Sequence, residues 1–468
     1  MGNNGDMAAR VVIVGGGPGG YEAAIVAAKA GAAVTLIERQ GLGGNAVLTD
    51  VVPSKTVIAT AEWLTIAERA PELGIRRQGA SQADAARTDV DMAAVNARIR
   101  TLVERQSNDI ANRLEKNGVT VVLGEAALVD ARTVTANGES YEADAVLLAT
   151  GARPRVIPGV QPDGQRIFNW TQLYHLDVVP EHLVVVGSGV TGAEFAGAYR
   201  LLGSEVTLVS SGDRVLANQD PEAAELLQSV FANRGMVVLG NCRASAVENI
   251  GSGVRVTLND GRVIEGSHCL LAVGSVPNTE GMGLEGAGVE IDERGFIAVD
   301  RVSRTSARGV YAAGDCTGVL PLASVAAAQG RIAMAHALGD AVKPIELRHV
   351  ASNVFTAPEI ASVGSSEAEL VERGIFYEVS RLDLARNPRA KMLGIDQGFV
   401  KIFGHKVTGQ VLGAVIVGPR ASEHIYPLSL AVSQHLTVDD VAAAFTVYPS
   451  LSGSVAEVAR RLHNITDS

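Results

Sequence analysis

A buried strand that runs into glycines and then into a helix occurs twice in this chain, and that duplication constrains the fold more than any other feature. The first copy is RVVIV followed by Gly15-Gly16-Gly17-Pro18-Gly19-Gly20, the alanine-rich stretch YEAAIVAAKAGA, and a second strand, VTLIE, that ends at Glu38. Each glycine has a separate task. Gly15 permits a tight turn, Gly17 lets backbone N–H groups approach a pyrophosphate at the helix N-terminus, and Gly20 lets helix and strand pack closely. Glu38, 23 residues after Gly15, sits where a carboxylate takes the two ribose hydroxyls. With strand, helix and acid in order, the segment reads as a dinucleotide site and not as an ordinary strand–helix turn.

The second copy is HLVVV followed by Gly187-Ser188-Gly189-Val190-Thr191-Gly192-Ala193-Glu194, and its next strand reads EVTLVSS. Two bound dinucleotides are implied. This second strand ends in Ser210-Ser211 instead of an acid, with Arg214 shortly after. A carboxylate there repels a 2′-phosphate, whereas hydroxyls beside a guanidinium accept one. The alternative for Arg214 is a surface-loop residue without that role.

Two segments bracket the second copy, ADAVLLATGARPRVIPG (143–159) and SHCLLAVGSVPNT (267–279). Both read as a buried strand opening into a glycine turn, where a chain passes between domains. A third, TSARGVYAAGDCTG (305–318), ends its strand at Gly314-Asp315, with an apolar helix directly after. An Asp there can accept a hydroxyl of a sugar chain, and it can also cap a helix.

Composition narrows the function classes. At 468 residues the chain has room for about three domains. Its three cysteines, Cys242, Cys269 and Cys316, are too few and too scattered for a disulfide framework or a paired-cysteine metal site, so no metal is expected and a reducing cytoplasm fits best. MGNNGDMAAR lacks the order of a signal peptide, and no apolar run approaches the roughly 18 residues of a membrane span. With 51 acidic against 40 basic side chains, the net charge of −11 argues against nucleic acid as a partner.

Taken together, GGGPGG with Glu38, VVPSK at 51–55, ATG at 149–151, GSGVTGAE, AAGD at 312–315 and NVFTAPEIASVG at 353–364 resemble the pyridine nucleotide-disulfide oxidoreductases, the family of lipoamide dehydrogenase and glutathione reductase. The resemblance covers almost all of the chain. It implies an α/β flavoprotein with two Rossmann-like dinucleotide-binding domains: a discontinuous FAD domain over 1–155 and 275–345, and an NAD(P)H domain over 156–274. A C-terminal α/β dimerisation domain over 346–468 completes a homodimer with active sites at the subunit interface. By the same resemblance Gly15, Gly17, Pro18, Gly20, Glu38, Arg39, Gly44, Lys55, Gly124, Ala149, Thr150, Gly151, Gly314 and Asp315 hold FAD. Gly187, Gly189, Val190, Gly192, Glu194, Ser210, Ser211, Arg214 and Gly274 belong to the NADPH or NADH site.

Against that pattern one stretch departs. The family reads Gly-Gly-Thr-Cys, four residues, then Cys-Val-Pro-Ser-Lys; here GGNAVLTDVVPSK puts Ala46 and Val51 at the two cysteine positions. Neither side chain can form a thiolate or a mixed disulfide. The C-terminal His-Pro-Thr, two residues, Glu has changed in step, with Tyr448 at the histidine position and Gly453 at that of the glutamate. What the resemblance leaves intact is Lys55 and Glu194, which in the family pair beside the flavin, where a cation stabilises charge at the ring. A purely structural ion pair is the alternative. The slot left by Ala46 and Val51, with Tyr448 from the partner chain, suits an aromatic acceptor. Runs such as VVGSGVTGAEF, YAAGDCTG, LPLASVAA and VYPSLSGS are similar to the actinobacterial lipoamide-dehydrogenase-like NAD(P)H:quinone reductases that lack the catalytic cysteine pair. The expected activity is two-electron reduction of a quinone by NAD(P)H through FAD, with Lys55, Glu194 and Tyr448 as the catalytic residues and solvent or Tyr448 as the proton donor. Two other readings stay open: a soluble pyridine nucleotide transhydrogenase, and a flavin-bearing binding or sensor protein with little turnover.

Overall fold

The computed structural model describes residues 8–75 and 89–463. Residues 1–7 of the N-terminal stretch examined for a signal peptide lie outside them. Val11 to Val14 carry no polar side chain and are buried on both faces, as a central parallel strand demands. Around this strand, Arg10–Val14, runs a five-stranded parallel sheet in the order Val310–Ala312, Ala145–Leu148, Arg10–Val14, Ala33–Glu38, Thr120–Leu123.

The duplication seen in the sequence goes further than two strand–helix–strand units. His182–Val186 is the central strand of a second parallel sheet, ordered Val237–Leu239, Glu205–Val209, His182–Val186, His268–Leu271, Ile167–Asn169. In each half the strand after the first helix flanks the centre, and a three-stranded antiparallel meander follows the third strand. The meanders are Ala126–Asp130, Thr133–Ala136 and Glu139–Glu142 in the first half, and Ala244–Asn249, Val254–Leu258 and Val263–Gly266 in the second. Only then does the chain return beside the glycine-loop strand. The two halves are joined by a short antiparallel ribbon, Ala152–Pro154 against Ser275–Pro277, which lies at the two glycine turns expected as crossings.

From Ser352 onward the chain builds an antiparallel sheet, ordered Ser352–Val354, Glu359–Gly364, Val411–Gly418, Phe399–His405, Tyr377–Asp383. Helices Tyr426–Ser433 and Gly453–Arg461 pack on it through Leu428, Val432, Val455 and Val458. A fully buried cation fastens this sheet to the second nucleotide sheet. Lys401 Nζ lies 2.6 Å from Asp220 and 2.7 Å from Glu222, both at the start of helix Pro221–Asn233. Removing one partner of such a group costs about 3–5 kcal/mol, because the remaining charge stays out of water. No helix among the described residues is long and apolar enough to cross a membrane.

One local expectation is corrected. Asp315 does not cap the long helix after it: Asp315–Thr317 is a separate turn of 3-10 helix, and the long helix starts only at Ala323. Gly318, with φ of +66°, and the proline at 321 interrupt the chain between them.

Candidate active site

The first glycine loop opens on a cleft of about 530 Å³. Gly15 and Gly20 are forced by backbone crossings. A Cβ on Gly15, whose φ is +106°, would lie 2.2 Å from the Ala149 carbonyl oxygen, and one on Gly20 would lie 1.8 Å from that of Gly15. Gly17 is different. It is extended, it stands at the N-cap of helix Pro18–Lys29 without any side-chain cap, and its missing Cβ would meet only the Gly44 Cα, at 3.8 Å. Pro18 has no N–H and Gly20 donates to the Gly17 carbonyl at 2.9 Å, so the N–H groups without a partner among the described residues at this helix start are those of Gly17 and Gly19, an arrangement that receives phosphate. Gly44 in turn has no room for a side chain, since its Cβ would fall 2.8 Å from the Gly17 Cα.

Acceptors for hydroxyl groups stand on both sides of this loop. Glu38 is buried and fixed by N–H donors from Gly16 at 2.6 Å, Gln40 at 2.7 Å and Gly41 at 3.3 Å, which hold its carboxylate at the cleft wall. Oε2, which accepts only the Gly16 N–H, retains capacity for a further hydroxyl. Asp315 also lines the cleft, its carboxyl accepts no hydrogen bond from the described residues, and burial together with the nearby Asp50 pushes its pKa up to about 6. A carboxyl group held out of water without donors is matched by the hydroxyls of a sugar chain. Pro18, Arg39, Gly124, Ala149, Thr150, Gly151 and Gly314 line the same cleft. Arg39 is half exposed and reaches Glu125 at 3.6 Å. Thr150 and Asn278 close the floor with reciprocal bonds of 2.7 and 2.9 Å. These residues fit FAD: a phosphate-receiving helix end between two carboxylates that await hydroxyls.

Next to the cleft wall formed by Asp50 and Val51, but not among the residues that line the cleft, three parts of the molecule meet. Lys55, from helix Val51–Glu68, places Nζ 2.7 Å from Glu194 Oε2, on helix Val190–Leu201 of the second half. The other oxygen, Oε1, accepts the Phe355 N–H at 2.8 Å from the C-terminal region, and the Phe355 ring centroid lies 5.1 Å from Lys55 Nζ. Glu194 is thus satisfied by one donor from each of the other two parts. Ala46, Thr49, Asp50 and Val51 form the adjoining wall. The two positions that carry sulfur in the family pattern are here a methyl and an isopropyl group. Cys242, Cys269 and Cys316 are all buried away from this wall, and burial pushes the thiols of Cys269 and Cys316 up, which keeps them protonated.

The second glycine loop repeats the first. A Cβ on Gly187, with φ of +110°, would lie 2.2 Å from the Ala272 carbonyl oxygen, one on Gly192 would lie 1.8 Å from that of Gly187, and Gly189 faces open space. Val190 is exposed beside it, and Gly274, with φ of +91°, also faces open space. The strand end behaves differently from its sequence reading. Ser210 is fully buried, and its hydroxyl is engaged with Ser188 at 2.7 Å and with the carbonyls of Gly212 and Arg214 at 3.1 and 3.2 Å. It presents nothing to a ligand while those bonds last. Ser211 is the exposed hydroxyl, and Arg214 points one nitrogen at Glu225, 3.5 Å away, with its Nε buried.

Tyr448 is 81% exposed, on a loop with the likewise exposed Phe445 and Val447, and it is not among the residues lining the cleft of its own chain. Three residues of the site escaped the sequence reading. Asn278 and Phe355 act partly through backbone groups, which carry no sequence signal. Asp50 had one, a charged residue inside a stretch where only the two cysteine positions were counted.

The family model described as pyridine nucleotide-disulphide oxidoreductase matches residues 9–330, and that of its dimerisation domain matches residues 350–459. The chain belongs to this family of two-dinucleotide oxidoreductases, whose cofactors are FAD and NAD(P)H. A Mycobacterium tuberculosis protein named NAD(P)H dehydrogenase (quinone) is 50% identical over 470 residues, covering 97% of this chain and 94% of that one. A dihydrolipoyl dehydrogenase of Chlamydia muridarum is 34% identical, covering 96% and 95%. The crystal structure of LpdA from Mycobacterium tuberculosis superposes with a TM-score of 0.92 at 50% identity, covering 98% of this chain and 100% of that one.

Proposed function

We propose that this enzyme reduces quinones by two electrons at the expense of NAD(P)H, through bound FAD and without dithiol–disulfide exchange. The observation that carries the reading is the pairing of an intact Lys55–Glu194 contact with a cleft wall of Ala46 and Val51. The name of the mycobacterial relative, NAD(P)H dehydrogenase (quinone), supports the same acceptor. Bound flavin supplies the two-electron redox chemistry. Lys55, oriented by Glu194, whose second oxygen is tied to the Phe355 backbone, would supply positive charge to a bound flavin. Ala46 and Val51 exclude water and offer a flat apolar face on which an aromatic acceptor stacks.

In this reading residues 1–155 with 275–345 bind FAD, 156–274 bind the nicotinamide nucleotide, and 346–468 form the homodimer contact that brings the partner chain's copy of Tyr448 to the acceptor. Ser211 and Arg214 line the adenosine end of the nucleotide site, where the second strand ends in hydroxyls and not in an acid and Glu225 approaches only one nitrogen of Arg214, so NADPH serves at least as well as NADH. Three buried cysteines, none of them paired, suit a reducing compartment such as the cytoplasm. A panel of acceptors tests the reading: FAD-loaded protein oxidises NAD(P)H with benzoquinones and naphthoquinones and gives essentially no turnover with lipoamide or oxidised glutathione. Turnover with a disulfide comparable to that with menadione contradicts it, and hydride transfer to a thionicotinamide nucleotide faster than to any quinone would favour a transhydrogenase.

A further inference from the structure

We propose that Asp50 is the acid that delivers a proton to the quinone. The inference rests on the quinone reading and deepens it by naming a residue. Asp50 occupies the N-cap of helix Val51–Glu68, a position that aspartate ordinarily fills in order to cap, yet its side chain makes no cap bond. Two other aspartates of this chain do cap: Asp91 accepts the Ala94 N–H at 2.9 Å, and Asp220 accepts that of Ala223 at 3.1 Å. The structural reason for an aspartate is therefore missing at position 50. Its backbone is held, N–H to the Asn45 carbonyl at 2.8 Å and carbonyl to the Ser54 N–H at 2.7 Å, while Asp50 lines the cleft together with Ala46 and Val51 and its carboxyl has no hydrogen bond from the described residues.

The charged and titratable groups around it come from every element packed there. They are Lys55 on its own helix, Glu194 on helix Val190–Leu201, Asp315 on the 3-10 turn, and Tyr174, whose hydroxyl is buried without a partner. Burial raises the pKa of Asp50, Lys55 opposes that shift, and Glu194 adds to it. With Lys55 already engaged by Glu194, the carboxyl stays neutral to a higher pH than an exposed one. The proton count then closes. A quinone that takes a hydride gains two electrons and one O–H bond and is left a hydroquinone monoanion. The Asp50 O–H bond breaks as the second hydroquinone O–H bond forms, and water reprotonates the carboxylate. The overall change is quinone plus NAD(P)H plus one proton, giving hydroquinone plus NAD(P)+.

The test compares Asp50→Asn and Asp50→Glu with the wild type on two acceptors, a naphthoquinone and ferricyanide, which takes one electron and no proton. General-acid catalysis contributes about a hundredfold or more. Asp50→Asn is expected to lose about that factor with the quinone and less than twofold with ferricyanide, and Asp50→Glu to recover part of the loss. The wild-type quinone rate falls as pH rises through an ionisation above the ordinary carboxyl value of about 4, and Asp50→Asn lacks that limb. Infrared difference spectra of wild type against Asp50→Asn give a readout without turnover, a protonated-carboxyl band persisting above the same pH. Equal losses with both acceptors, an unchanged quinone pH profile, or absence of that band overturns the assignment. Wild-type protein that reduced ferricyanide but no quinone would overturn the quinone reading itself, and the proton donor with it.

Discussion

Ser210 and Ser211 are adjacent and chemically identical, and only packing separates them. Ser210 points inward and closes a turn through Ser188, Gly212 and Arg214, while Ser211 meets solvent. A carboxylate at position 210 would be buried without donors and would unfold the strand end before it changed coenzyme preference. Strand alternation could have assigned one of them outward, but the loop that follows leaves the ladder at Val209, and from there periodicity gives no direction. Asp315 shows the opposite case, a role legible from its neighbours whose energetic consequence needs the structure. Its folded pKa of about 6 lies above the ordinary value of about 4. In FAD-free protein the stability that its neutral form confers is complete below pH 4, is lost as pH rises from about 4 to 6, and stays lost above. Asp315→Asn is therefore expected to make FAD-free protein ~2–3 kcal/mol more stable at pH 8 and no more stable at pH 4, while weakening FAD binding. Urea unfolding at the two pH values, with a flavin titration beside it, checks both signs.

Among the elements, those with backbone constraints were the most legible. Gly15 with Gly20 and Gly187 with Gly192 were readable because no other residue fits where a carbonyl oxygen would stand 1.8–2.2 Å from the Cβ. The meanders that follow each third strand were not readable, because short strands at 126–142 and 244–266 carry mixed polar and apolar residues on a half-exposed sheet and give no strong period. The long helix, read from the sequence as SVAAAQGRIAMAHALG, starts one residue earlier, at Ala323; the separate 3-10 turn Asp315–Thr317 was not legible, because the left-handed Gly318 that ends it looks like any other glycine. Gly192→Ala tests the tightness of the second loop. Its Cβ must displace the Gly187 carbonyl, at a cost of about 1–3 kcal/mol, and the nucleotide loop moves with it. The expected outcome is a protein that keeps its flavin absorbance but is reduced slowly, with KM for NADPH raised at least tenfold. Unchanged reduction kinetics would place the nucleotide elsewhere.

For the whole molecule, the sequence and its resemblance accounted for three sheets in the right order along the chain, but not for how they are pinned together. Lys401 with Asp220 and Glu222, and Glu194 with Lys55 and Phe355, each join side chains or backbone groups more than 130 residues apart, and single residues at such separations carry no local pattern. The second of these contacts joins all three parts beside the candidate site. Tyr448, Phe445 and Val447 leave an apolar loop bare on the single chain, which the dimerisation domain accounts for at the level of the family. The central claim is that the acceptor binds on the wall from which the sulfur atoms are missing. Anaerobic stopped-flow measurement of the two half-reactions in Val51→Trp tests it most directly. The account predicts that flavin reduction by NADPH stays within about twofold of the wild type, while reoxidation by naphthoquinone slows at least tenfold, because only the acceptor face has gained bulk. Reoxidation by quinone at the wild-type rate would place the acceptor away from Ala46 and Val51 and would contradict the account.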